Sequence, residues 1–162
     1  MLCSAVDMAN RPPRLERIFA DYQAPLWFVT FNTHRRRRLL DNDLVHGRFQ
    51  KFCGKAASRY ILVGRYVLMP DHAHLFVVGP PELALAVWVR SLKLTLSNAI
   101  TMTRPHWQEG FFDHLLRHGE SYSEKWEYVR QNPVRAGLVK APEEWPYQGE
   151  LNLLNFDCRA AV

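Results

Sequence analysis

Two histidines one residue apart, His72 and His74, have the types and spacing of a metal-binding pair. The apolar residues that follow them predict a β-strand, in which alternate side chains project from the same face. Their Cα atoms then lie roughly 6.6 to 7 Å apart, so both imidazoles can converge on one ion. Neutral imidazoles suit Zn, Mn, Fe, Ni or Cu and leave coordination positions open for a substrate oxygen. The pattern also fits two hydrogen-bonded histidines on a half-buried strand, and the pair alone does not decide between these interpretations.

A tyrosine and an asparagine four residues apart, Tyr128 and Asn132, form a second candidate group. Ser121 to Glu124 has the Ser-x-x-Glu form of a capping box, which predicts the start of a helix. Pro133 disfavours helical geometry at the residue before it, so the helix is expected to end near Asn132. Tyr128 and Asn132 then share one helix face. A tyrosine can serve as a covalent nucleophile and an amide oxygen as a ligand for a hard cation, although a tyrosine here also fits a packing role.

The predicted elements that position these groups follow the order β-α-β-β-α-β. Strands are indicated by aromatic and β-branched runs, and helices by caps and apolar stripes; the expected ranges are 26–33, 43–58, 60–69, 72–78, 83–100 and 107–117. Pro70-Asp71 is the expected turn of a hairpin, which places the histidines near one end of a central strand, and Gly110 is a candidate bulge. This order predicts an α+β, ferredoxin-like fold, in which an antiparallel sheet carries both helices on one face. A C-terminal helix bearing Tyr128 follows.

The 162 residues, 48% of them hydrophobic, fit one globular domain with a buried core. We divide the chain into a basic N-terminal arm (1–24), a main domain (25–140) and a C-terminal tail (141–162). Three cysteines, an odd number without Cys-x-x-Cys spacing, argue against a disulfide framework and favour a reducing cytoplasm. The first residues lack the pattern of a secretory signal, Met8 is as suitable a start as Met1, and no apolar run is long enough to span a membrane.

A formal net charge of +5 is consistent with a polyanionic partner such as nucleic acid. Four consecutive arginines end the first predicted strand, where a phosphate clamp is geometrically reasonable. Further basic residues form a stripe on the first helix or lie on the later helices, and solvated surface charges are the alternative interpretation. The candidate DNA contacts are Arg35, Arg36, Arg37, Arg38, Arg48, Lys51, Lys55, Arg59, Arg90, Lys93, Arg130 and Arg135.

Four stretches together resemble the one-tyrosine HUH transposases, and within them the REP-associated tyrosine transposases: 69–77, 89–93, 107–114 and 128–139. They occur in the family's order and spacing across roughly residues 25–150. The resemblance implies that His72 and His74 are the metal pair, that Asn132 is the third ligand and that Tyr128 is the nucleophile. It also implies a ferredoxin-like fold and a substrate of single-stranded DNA beside an imperfect hairpin.

The activity implied by the resemblance is cleavage and rejoining of single-stranded DNA, as an endonuclease and strand transferase, through a 5′-phosphotyrosine intermediate with Mg²⁺ or Mn²⁺. A monomer is favoured because Tyr128 is expected to reach the histidines of its own chain, and a homodimer is the alternative. The protein would work in the cytoplasm, associated with the nucleoid when bound to DNA. A catalytically silent module that binds hairpin DNA or RNA, and a small metal-binding or structural protein, remain alternatives.

Overall fold

The computed structural model describes residues 24–116 and 122–154, which contain five strands and four α-helices. The predicted N-terminal arm before Ala24, Ser121 of the capping box and the end of the predicted tail lie outside these residues. The elements are β1 (Leu26–Asn32), α1 (Asp43–Ala56), β2 (Leu62–Met69), β3 (His72–Val78), α2 (Leu85–Ser97), β4 (Phe112–Leu116), α3 (Tyr122–Arg130), α4 (Asn132–Arg135) and β5 (Gln148–Glu150). None of the helices in the two described stretches is long and apolar enough to cross a lipid bilayer.

The strands form one antiparallel sheet in the order β4-β1-β3-β2-β5. The first four follow the ferredoxin-like order, so the predicted fold is confirmed. β2 and β3 form the predicted hairpin around Pro70-Asp71, because proline and aspartate both favour tight turns. β3 is the central strand, and the histidines lie at its first and third positions.

Both faces of the sheet are covered, by different helices. Apolar residues of β3 alternate between the faces: Leu75 and Val77 pack against the α1 and α2 layer, while Phe76 and Val78 pack against the opposite layer. That second layer includes Tyr122 and Val129 of α3. His72 and His74 have the same strand parity as Phe76 and Val78, so they face the side of the sheet that α3 covers.

Several predicted boundaries differ from the structure, most of all those of α2 and β4. α2 ends at Ser97 instead of residue 100 and begins two residues later than expected. The predicted strand 107–117 is regular only over Phe112–Leu116. Before it, Trp107 makes an isolated bridge with Thr33, and Gly110 has a φ of +72°, which interrupts the ladder. Helix α2 holds this segment instead: the Trp107 indole N–H donates to the Lys93 carbonyl at 3.0 Å, and the Lys93 ammonium donates to the Gln108 carbonyl at 3.1 Å.

The third helical region is broken, as the proline predicted, but the chain continues in a helical turn. α3 ends at Arg130, and Pro133 lies in the first turn of the short helix α4. Strand β5, which sequence periodicity did not indicate, pairs with β2 at the sheet edge, so residues 148–150 of the predicted tail belong to the sheet. Trp145 holds the segment that leads to β5 against β2, because its indole N–H donates to the Leu68 carbonyl at 2.9 Å.

Candidate active site

His74 is held in one orientation by two residues of the neighbouring strand. Strand register places Thr30 of β1 opposite His74, and the Thr30 Oγ1 lies 2.7 Å from the His74 Nδ1. The Phe28 ring stacks on the imidazole at a centroid distance of 5.4 Å. We assign the Nδ1–H as donor to the threonine oxygen, which leaves the Nε2 lone pair for an ion; such an orienting hydrogen bond is usual for metal-binding histidines.

His72 is oriented by a carboxylate that is itself held by an arginine. Its Nδ1 lies 2.6 Å from the Asp71 Oδ1, and the Asp71 Oδ2 lies 2.7 Å from the Arg36 Nε. Arg36 also donates to the Asn32 Oδ1 at 2.6 Å. Burial alone would raise the pKa of Asp71, but the hydrogen bond from His72 and the charges of His72 and Arg36 lower that pKa below its ordinary value. Asp71 therefore remains a carboxylate and favours the Nδ1–H form of His72.

Both histidines have lowered pKa values, which favours neutral imidazoles near pH 7. Burial lowers the pKa of His72, against the opposing influence of Asp71. Burial, followed by the charges of His72, Arg36 and Arg135, lowers the pKa of His74 to about 3. The two rings meet edge to face with their centroids 4.7 Å apart. Neutral imidazoles this close can share one cation through their Nε2 atoms.

The helix that carries Tyr128 lies over the same side of the sheet. The Lys125 ammonium lies 5.1 Å from the centre of the Phe28 ring, which in turn stacks on His74. The Arg135 guanidinium lies 4.3 Å from the centre of the Tyr128 ring. The charge of Arg135, in α4, also contributes to the lowered pKa of His74, so Arg135 lies near enough to this histidine of the same chain to affect it.

Tyr128 is 69% exposed, which contradicts the alternative that it packs into the core. Asn132, at the start of α4, accepts a hydrogen bond at its Oδ1 from Arg135. An amide oxygen has two lone pairs, so this bond leaves one for a cation. Tyr128 is thus accessible to a substrate, and Asn132 keeps the donor atom that the sequence interpretation requires of it.

The donor atoms present fit a divalent cation that is held weakly. Within residues 24–116 and 122–154, no three His, Cys, Asp or Glu side chains lie close enough together to hold a metal ion. A site built on His72 and His74 therefore needs an oxygen of another kind, and the Asn132 amide is the candidate. Two imidazoles and an amide suit an exchangeable Mg²⁺ or Mn²⁺ better than structural zinc, which takes four protein ligands.

The arginine run is not a uniform phosphate clamp. Arg36 forms an ion pair with Asp71, and Arg38 forms one with Asp41. Arg37 donates hydrogen bonds to the carbonyls of Thr103 and Pro105. Arg35 is exposed and has no partner among the described residues. Arg35 and Arg36 have φ values of +53° and +55°, which are uncommon outside glycine and put Arg36 beside His72.

The remaining predicted DNA contacts also fall into two groups. Some of these side chains are bonded within the protein, and others have no partner in the described residues. Lys93 is 9% exposed and donates its ammonium protons to the Gln108 and Gly110 carbonyls, so the interpretation of Lys93 as a solvated charge is wrong. Arg130 pairs with Glu127 and Glu143. The exposed set without intramolecular partners in the described part of the chain is Arg48, Lys51, Lys55, Arg59 and Arg90. These five lie on α1, the turn after it, and α2, across the sheet from the histidines.

Sequence reasoning missed the orienting role of Asp71 and Thr30. The adjacency of Asp71 to His72 was a usable signal, because a carboxylate beside a ligand histidine often fixes its tautomer. Thr30 lies 44 residues from its partner. Only the strand register brings Thr30 and His74 together, so no local pattern could have indicated it.

A model of the IS200-like transposase family matches residues 26–131 of this chain. The chain belongs to the IS200-like transposase family. The match spans His72, His74 and Tyr128 and ends one residue before Asn132. The chain is also similar to the REP-associated tyrosine transposase of Escherichia coli (strain K12), with 26% identity over 123 residues, 75% of this chain and 73% of that protein.

A solved structure of a REP-associated tyrosine transposase bound to a REP hairpin has a similar fold. It superposes with a TM-score of 0.65 and 26% identity, and the alignment covers 77% of this chain and 76% of that one. The predicted relationship to REP-associated transposases is confirmed by these matches. This family is generally catalytic and typically metal-dependent.

Proposed function

We propose that this protein is a metal-dependent single-stranded DNA endonuclease and strand transferase that acts beside DNA hairpins. Tyr128 is the proposed nucleophile, and His72, His74 and Asn132 are the proposed metal ligands. The observation that supports the proposal is that α3, which carries Tyr128, packs on the sheet face on which both histidines lie, while Arg135 of α4 contacts both the Tyr128 ring and Asn132. We propose a monomer, because α3, which carries Tyr128, packs on the histidine face of its own chain.

The reaction is a transesterification. The Tyr128 oxygen forms a bond to phosphorus while the bond from phosphorus to the 3′ oxygen breaks. The tyrosine loses a proton, the 3′ oxygen gains one, and the products are a 5′-phosphotyrosine and a free 3′-OH. Since the phosphodiester energy is retained, a 3′-OH can reverse the step and join strands. A bound Mg²⁺ or Mn²⁺ would supply charge stabilisation at the phosphate.

The chain's own residues prepare this chemistry. Thr30 and Asp71 fix the two imidazoles with their Nε2 lone pairs available, and the low pKa values of both histidines keep those lone pairs free of protons. Tyr128 is exposed at the surface, where a flexible single strand can reach it. A duplex would hold the scissile phosphate and neighbouring bases away from such a site.

The hairpin partner is proposed from the related structure that contains a REP hairpin. The exposed charges of Arg35 and of the α1 stripe are the available contacts for a nucleic acid backbone, and binding through them would weaken as salt increases. The basic stripe on α1 lies on the opposite side of the sheet from the histidines. A hairpin that contacts both this stripe and the histidine site would therefore have to pass around the edge of the sheet.

The test is formation of a covalent adduct with end-labelled single-stranded hairpin oligonucleotides. With Mn²⁺, wild-type protein should carry the label to protein mass on a denaturing gel, and EDTA should abolish the product. Tyr128→Phe should bind the oligonucleotide but form no adduct. Tyr60→Phe is the matched control because Tyr60 is also exposed and ends the short 3-10 turn that follows α1, away from the proposed site.

An adduct in Tyr128→Phe would exclude Tyr128 as the sole nucleophile. Tight, metal-independent binding without any adduct across several hairpins would favour the silent binding module instead. Cleavage without a protein adduct would indicate hydrolysis by water.

A further inference from the structure

Arg135 makes a set of contacts that no other basic residue in the described part of the chain makes. Its NH2 donates to the Tyr128 carbonyl at 2.8 Å and to the Asn132 Oδ1. The guanidinium carbon lies 4.3 Å from the centre of the Tyr128 ring, which is cation–π geometry. One guanidinium therefore contacts both the proposed nucleophile and the proposed third ligand.

The hydrogen-bonding capacity of Arg135 is only partly used. A guanidinium has five N–H donors, and both described bonds use NH2. The Nε–H and the two NH1 protons have no acceptor within residues 24–116 and 122–154, and the residue is exposed. Three donors of a planar fork are thus open at the surface beside Tyr128.

The charge of Arg135 is also uncompensated. Arg36, Arg38 and Arg130 are paired with carboxylates. Arg135 has only a carbonyl, an amide oxygen and an aromatic ring as partners in the described residues. A guanidinium with open donors and no counter-ion matches a phosphate, whose oxygens accept two parallel N–H bonds.

We infer that Arg135 binds a non-bridging oxygen of the scissile phosphate and offsets the charge that develops there during attack by Tyr128. This inference rests on the proposed function. The two bonds through NH2 fix the guanidinium relative to Tyr128, so a phosphate held by the remaining donors lies next to the nucleophile. Arg135 gains and loses no proton in the step. Its contribution is a preorganised positive charge, for which removal of one donor commonly costs about 10²- to 10³-fold in rate.

The experiment compares single-turnover adduct formation in wild type, Arg135→Gln and Arg135→Lys with saturating Mn²⁺. Arg135→Gln should slow the adduct step by about 10²-fold or more, while the dissociation constant of the hairpin oligonucleotide changes far less. Arg135→Lys keeps the positive charge but lacks the planar set of N–H donors. Its adduct rate should therefore lie between those of wild type and Arg135→Gln. Lys140→Gln is the matched control for charge removal, because Lys140 is exposed on the turn after α4; its rate should equal that of wild type.

Two further measurements separate phosphate binding from a structural role. The Mn²⁺ affinity of Arg135→Gln should equal or exceed that of wild type, since a positive charge next to Asn132 has been removed. Guanidinium ion should partly restore the adduct rate of Arg135→Ala, measured against the same concentration of sodium chloride, and should not restore Tyr128→Phe.

Full adduct rate in Arg135→Gln would overturn the inference and leave the proposed function standing. A rate loss that tracks weaker Mn²⁺ binding, without rescue by guanidinium, would also overturn it, because Arg135 would then act only by holding Asn132. Absence of an adduct with wild-type protein on every hairpin would overturn both the inference and the proposed function.

Discussion

Replacing Thr30 with valine tests whether the strand register prepares His74 for a metal. Valine has nearly the shape of threonine but cannot accept the His74 Nδ1–H, whose present acceptor lies 2.7 Å away. An unpaired, largely buried donor costs about 1–3 kcal/mol. The imidazole would escape that cost by moving its proton to Nε2, the atom that must bind the cation. Because each 1.4 kcal/mol is a factor of ten, Mn²⁺ affinity should fall roughly fivefold to a hundredfold.

Two assays report on this prediction independently of DNA cleavage. Long-range ¹H–¹⁵N NMR of the metal-free protein should show His74 as the Nδ1–H tautomer in wild type and a shift towards Nε2–H in Thr30→Val. Electron paramagnetic resonance of free Mn²⁺ gives the affinity. Thr30→Ser retains the hydroxyl and should behave as wild type. Unchanged tautomer and unchanged Mn²⁺ affinity in Thr30→Val would refute the reasoning.

Two predictions concern stability. Tyr122→Phe removes the hydroxyl that accepts the Arg65 backbone N–H at 3.0 Å and should lower the free energy of unfolding by about 1–3 kcal/mol in urea titrations; a loss no larger than that of Tyr60→Phe would contradict this. Burial lowers the pKa of His46, although the charge of Asp43 partly opposes this shift. The unfolded chain therefore takes up this proton at a higher pH than the folded chain, as pH falls below about 6.5. Wild type should therefore lose more stability than His46→Gln between pH 7 and 5, and parallel pH profiles would contradict this assignment.

Much of the fold was accessible from local patterns. The hairpin, the N-terminal cap of α1 and the order of elements depend on interactions between residues a few positions apart, such as Asn42 accepting the Val45 N–H at 3.0 Å. The alternation of His72 and His74 on one face is a geometric property of any strand. These features therefore agree with the structure, including β3 at His72–Val78.

The misjudged elements depended on partners distant in sequence. Strand β5 is only three residues long and exists because the edge of β2 offers free backbone groups. Lys93 looked like a surface charge, but the loop that ends at Gly110 folds over it and supplies carbonyl acceptors. Helix propensity and hydrophobic periodicity contain no information about such contacts.

The sequence by itself determined the residue types of the candidate site, the strand that pairs the histidines and the helix that carries Tyr128. Tertiary structure alone decided that α3 covers the histidine face, that Thr30 and Asp71 orient the imidazoles, and that Arg135 keeps three donors open beside Tyr128. The physical reason is the sequence separation of the interacting residues. Strand alternation and helix capping involve residues four positions apart or fewer, whereas sheet register and helix docking depend on the packing of the whole chain.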